Sequence, residues 1–81
     1  MAYADLPSGV RKIAERDLTE KQLEVFTLEL AGWGTMRIAR HLSLTRAAVR
    51  DRLHNAHTKL ERCGVMQDAN GRWTVEEEVA A

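Results

Sequence analysis

The chain has 81 residues, 44 % of them apolar, and equal numbers of acidic and basic side chains. That length allows one small domain with a modest core, to which a partner or a dimer interface would add stability. The single cysteine, Cys63, excludes an internal disulfide; no apolar run can span a bilayer and no signal-peptide pattern opens the chain, so no membrane partner and a reducing, cytoplasmic location are expected.

The charge is balanced overall but unevenly distributed. Residues 35 to 62 carry seven basic side chains against two acidic ones, whereas residues 1 to 34 carry four against six and residues 63 to 81 one against four. Positive charge gathered in one segment is the footprint that phosphate binding requires.

Residues 1 to 9 show little pattern, and Pro7-Ser8-Gly9 marks a boundary, so a flexible start is expected. Val10, Ile13 and Ala14 then form an i, i+3, i+4 stripe, which predicts a two-turn helix over 10 to 16 lying on the domain, with Gly9 as a weak cap. The folded unit is expected to span residues 10 to 64.

The next helix has a stronger start. Thr19 with Gln22 three residues on is a capping box, and Glu20 complements the positive end of the helix dipole. The helix continues to Ala31, with Leu23, Phe26 and Leu30 on one face and Val25 and Leu28 widening it. So broad an apolar face needs cover on two sides, from the helix pair beyond Gly34 and from either the N-terminal stripe or a second subunit. Gly32-Trp33-Gly34 ends the helix, with Trp33 expected to plug the core.

Thr35 to His54 is the segment that the rest of the chain supports. It reads as a short helix, a tight turn and a second helix, with Thr35 and Thr45 as the expected caps. Ile38, Leu42, Leu44, Val49 and Leu53 turn both helices toward a common interior, and small Ala39 sits where they approach most closely. This is the sequence form of a helix-turn-helix, whose second helix commonly lies in the DNA major groove. The second helix runs on to about Cys63, with Val49, Leu53, Ala56 and Leu60 on its inner side.

Gly64 is the expected stop. Beyond it, Val65-Met66-Gln67 and Arg72-Trp73-Thr74-Val75 flank Asp68-Ala69-Asn70-Gly71, a hairpin signal over residues 65 to 75. An isolated hairpin is marginal, so Met66, Trp73 or Val75 is expected to dock on the helices. Residues 76 to 81 read as a solvated acidic tail. The fold class expected is mainly α, a small helical bundle containing a helix-turn-helix, with a short C-terminal hairpin.

Leu18-Thr19, Gly32, Ile38-Ala39, Leu42, Thr45 and Val49-Arg50 resemble the LuxR-type DNA-binding domain. The run from Val49 to Ala56 with Lys59-Leu60 is more similar still to the fourth region of bacterial sigma factors, which reads the upstream promoter element. The resemblance covers roughly residues 18 to 62 and identifies the superfamily better than the member. Two departures stand out: Ser43 replaces the glycine often found in the turn, and Asn55 and His57 stand where sigma-type proteins often carry arginine. The chain has no room for the sigma region that binds the melting site, so the resemblance implies a stand-alone bacterial or phage regulator of transcription.

On this reading Arg46 and Arg50 reach base edges, since a guanidinium can donate two hydrogen bonds to guanine, worth ~1–3 kcal/mol of discrimination. Ala47 meets a thymine methyl, Asp51 accepts from cytosine or pairs with a neighbouring arginine, and His54 completes the face. Arg37, Arg40, Arg52 and Lys59 neutralise phosphates, and Thr35 and Thr45 add contacts at the helix starts. Any of these residues would also be at home on an ordinary solvated helix face.

His41, His54, His57 and Cys63 invite a zinc reading, but no cysteine pair accompanies them and Cys63 lies inward, so no metal or other cofactor is expected. Cys63 is expected buried, with His54 and His57 exposed near DNA. No serine, histidine and acid form a catalytic constellation and no glycine loop suits a phosphate, which argues against an enzyme. The competing reading is an adaptor docking on RNA polymerase or another regulator. Helix-turn-helix domains often pair on DNA, and Val25 and Leu28, read as exposed, or the end of the long helix would supply a homodimer contact.

Overall fold

The structure, a computed structural model, describes residues 2–75. The expected acidic tail lies outside the described residues. Among the described residues four α-helices precede an antiparallel hairpin: α1 (Ser8–Asp17), α2 (Glu20–Leu30), α3 (Thr35–Leu42), α4 (Arg46–Arg62), β1 (Val65–Gln67) and β2 (Trp73–Val75). The expected fold class is the one observed. Among the described residues no helix is long and apolar enough to cross a membrane.

Local chemistry explains most boundaries. The Thr19 hydroxyl accepts from the Gln22 N–H at 3.1 Å and the Gln22 side chain accepts from the Thr19 N–H at 3.0 Å, closing the capping box that opens α2. Thr45 likewise accepts from the Ala48 N–H at 3.1 Å and starts α4. Thr35 does not cap α3. It is the first helical residue, and Gly34, which has no side chain to offer, occupies the cap position.

The ends of α2 and α3 share one device. Gly32 has φ +93°, its N–H donates to Glu29 O, and the Trp33 N–H reaches back to Leu28 O at 3.2 Å. At the end of α3, Ser43 takes φ 58°, and the Leu44 N–H donates to Ala39 O at 2.8 Å. Both are Schellman closures, which need a left-handed residue just past the helix. The serine in the turn thus falls on the position where glycine would be least strained.

The core has two parts, and α2 serves both. Its Phe26 and Leu30 join Val10, Ala14, Ala56, Leu60, Val65 and Trp73 in the larger cluster. Its Val25 joins Ile38, Ala39 and Val49 in the smaller one, with Leu28, Trp33, Leu42, Leu44 and Leu53 packed around them. The broad face of α2 is therefore covered on two sides within one chain. Val25 is 0 % exposed, so the expected homodimer contact through an exposed Val25 does not hold. Ile38 and Val49 close over it from α3 and α4.

The expected flexible start is corrected as well. A 3-10 turn at Tyr3–Asp5 delivers Leu6 into the larger cluster, and the Tyr3 hydroxyl donates to the Glu15 carboxylate at 2.9 Å. Burial and that carboxylate push the Tyr3 phenol up to about 12. Burying an aliphatic side chain such as Leu6 is worth ~1.5–3 kcal/mol, enough to hold a segment that has little periodicity of its own.

Hairpin register puts Val65 opposite Val75 and Gln67 opposite Trp73. Successive residues on a strand point to opposite faces, so Val65 and Trp73 are buried together while Met66, 51 % exposed, points the other way. Of the three residues expected to dock, Met66 does not; Trp73 does, with Val65 beside it in the larger cluster and Val75 packed against that cluster. In the connecting loop, Asp68 Oδ1 accepts from the N–H groups of Asn70 and Arg72 and Gly71 takes φ +83°. A Cβ on Gly9 would come within 2.9 Å of Val75 Cγ1, so the glycine lets β2 lie directly on α1.

Candidate nucleic-acid interface

The inner side of α4 fixes which side faces out. Val49, Ala56 and Leu60 are fully buried, so the helix cannot roll without exposing them. Arg46, Ala47, Arg50, Asp51 and His54 recur at helical spacing on the outer side, and all five are exposed. These are the five residues expected to meet base edges, and the fold brings them together on one face.

The expected phosphate contacts divide. Arg37, Arg40 and Thr45 are exposed and Thr35 is half-exposed near the starts and outer face of the helix pair. Arg52 and Lys59 are half-buried on the flank of α4. Residues two apart on a helix do not face the same way, so Arg52 leaves the Arg50 face. Lys59, two turns further along the same flank, donates from Nζ to the Asp17 carbonyl at 3.3 Å and ties α4 to the end of α1.

Ion pairing leaves the cations of this outer face uncommitted. Among the described residues the salt bridges are Arg16 with Asp17 and His57 with Glu29, neither of which uses a cation from the candidate face. Asp51 does not pair with a neighbouring arginine among the described residues. An unneutralised arginine is the state from which a phosphate or guanine contact gains most, because no existing pair must be broken.

His57 and Cys63 differ from expectation. His57 is half-buried, with its Nε2 2.7 Å from Glu29 Oε1 and its ring edge-on to Phe26 and Trp73. The Glu29 hydrogen bond raises its pKa against the opposing effect of burial. Glu29, His57 and Trp73, together with Leu30, Gln67 and Gly71, line a cavity of about 260 Å³ between α2, α4 and the hairpin. Cys63 is half-buried rather than buried, and its thiol donates to Asp17 Oδ2 at 2.9 Å. The Arg16 hydrogen bond first, and then that of Cys63, lower Asp17 to about 2, while Asp17 in turn raises the thiol. A thiol kept protonated is a poor nucleophile and a poor metal ligand. Among the described residues no three of His, Cys, Asp and Glu gather as metal ligands would.

The chain matches no protein-family model, no curated protein and no solved structure. The candidate interface therefore rests on its own geometry.

Trp33, expected to plug the core, instead sits half-buried at its rim. The Arg37 guanidinium lies 3.8 Å from the centroid of its ring, and the His41 ring meets it nearly edge-on at 5.1 Å. The spacing i, i+4 carries the signal for the Trp33–Arg37 pair, but only the exit direction set by Gly32 determines whether the indole points in or across the surface.

Proposed function

We propose that this protein binds double-stranded DNA in a sequence-selective way as a regulator of transcription, with α4 entering the major groove. The observation that carries this reading is the outer face of α4. Arg46 and Arg50, without a carboxylate partner among the described residues, stand with Ala47, Asp51 and His54 on a helix whose opposite side is anchored by fully buried Val49, Ala56 and Leu60.

A turn closed by the Leu44 N–H to Ala39 carbonyl bond holds α3 against this helix, as a supporting helix does in the helix-turn-helix arrangement. Arg37 and Arg40 supply charge on α3 for phosphates, which set orientation and register without carrying sequence information. Donors to guanine and an apolar Ala47 for a thymine methyl supply the discrimination.

The roles separate by mutation. Arg50→Ala is expected to weaken binding to a selected duplex by about 5- to 150-fold, the loss of one bidentate base contact, while changing binding to random duplex much less. Arg40→Ala is expected to weaken both duplexes similarly and to lower the slope of log affinity against log salt by about 1. Equal losses on both duplexes for both variants would refute this division.

A further inference from the structure

We propose that Trp33 is a positioning residue for nucleic-acid binding: its indole face holds the Arg37 guanidinium flat on the surface, so that Arg37 meets a backbone phosphate already oriented. The inference rests on the DNA-binding reading and adds a residue to it.

The geometry begins with the backbone. Gly32 in the left-handed region and the Trp33 N–H bonded to Leu28 O fix where the tryptophan leaves the end of α2. The indole packs against the smaller core cluster on one side, and the His41 ring abuts it nearly edge-on. The exposed Arg37, four residues after Trp33, then lies over the ring at 3.8 Å.

A guanidinium attracted to the face of an indole uses its π surface and leaves its in-plane N–H donors free. Those donors form the fork that a phosphate accepts bidentately. Arg37 has no carboxylate partner among the described residues, so the stack restrains it without neutralising it. A free arginine loses rotamer freedom when it grips an anion, whereas one already laid on a rigid ring loses less.

The test is a double-mutant cycle on duplex affinity. Wild type, Trp33→Leu, Arg37→Ala and the double variant are titrated with a random-sequence duplex at fixed salt, and their thermal unfolding is recorded separately. Trp33→Leu is expected to weaken binding about two- to fivefold, the scale of an exposed cation–π contact. In the Arg37→Ala background the same change should have no further effect. Trp33→Phe, which keeps an aromatic face, should recover most of the loss even if its melting temperature shifts. Because Trp33→Leu also removes packing, Arg37→Lys provides a second route: a lysine cannot stack as a flat plate, so its affinity should respond little to the residue at 33.

Equal losses from Trp33→Leu in both backgrounds would overturn the inference while leaving DNA binding intact. A wild-type chain that binds no duplex at low salt would overturn the underlying reading and this inference with it.

Discussion

Ser43 offers a direct check on the geometry of the turn between α3 and α4. It sits at φ 58° and ψ 45°, it is exposed, and its hydroxyl makes no hydrogen bond among the described residues. For an L-residue with a Cβ that conformation costs roughly 1–2 kcal/mol, which glycine would not incur. Glycine in turn makes the unfolded chain more flexible, costing about 0.5–1 kcal/mol. Ser43→Gly should therefore stabilise the fold by about 0.5–1 kcal/mol net, raising the melting temperature by ~2–8 °C in a domain of this size. Ser43→Val, which adds β-branching to a left-handed residue, should destabilise it by about 1 kcal/mol or more. Thermal and urea unfolding followed by circular dichroism would measure both. If Ser43→Gly melted below wild type, the left-handed turn between α3 and α4 would be wrong, and with it the angle at which α4 is presented.

Two further predictions concern other parts of the fold. Thr45→Ala removes the hydroxyl that accepts from Ala48 N–H and should cost ~1 kcal/mol in urea unfolding; Thr35→Ala, which removes no cap, should cost clearly less. The raised pKa of His57 means that its pairing with Glu29 contributes fully below about pH 6.5 and is lost as pH rises through the higher folded-state value. Glu29→Gln should accordingly destabilise the protein more at about pH 5.5 than at about pH 9, by no more than ~1 kcal/mol because both side chains are partly exposed. A pH-independent difference would exclude the pair as the cause.

Elements whose ends carry their own chemistry were legible in the sequence. Thr19 with Gln22, Thr45, Gly32, Gly64 and the Asp68 to Gly71 loop each satisfy backbone groups locally, so α2, α4 and the hairpin could be read in place. The outer face of α4 was legible for a related reason: burying Val49, Ala56 and Leu60 leaves the complementary positions outside. Features that depend on a distant neighbour were not legible. Val25 and His57 look exposed on their own helices until Ile38, Val49, Glu29 and Trp73 arrive from elsewhere. Leu6 falls in an opening stretch without helical or strand periodicity, and only the packed larger cluster gives it a place. Lys59 reads as one more cation until α1 ends beside it and offers the Asp17 carbonyl.

Whether α4 reads bases is decided by selecting bound sequences from a pool of random duplex DNA and titrating the enriched duplex at rising salt. A short enriched motif containing guanine is predicted, its binding lost on Arg46→Ala or Arg50→Ala, with log affinity falling linearly in log salt. A pool that stays random after repeated selection, or an enriched motif indifferent to both arginines, would contradict a base-reading role for this helix.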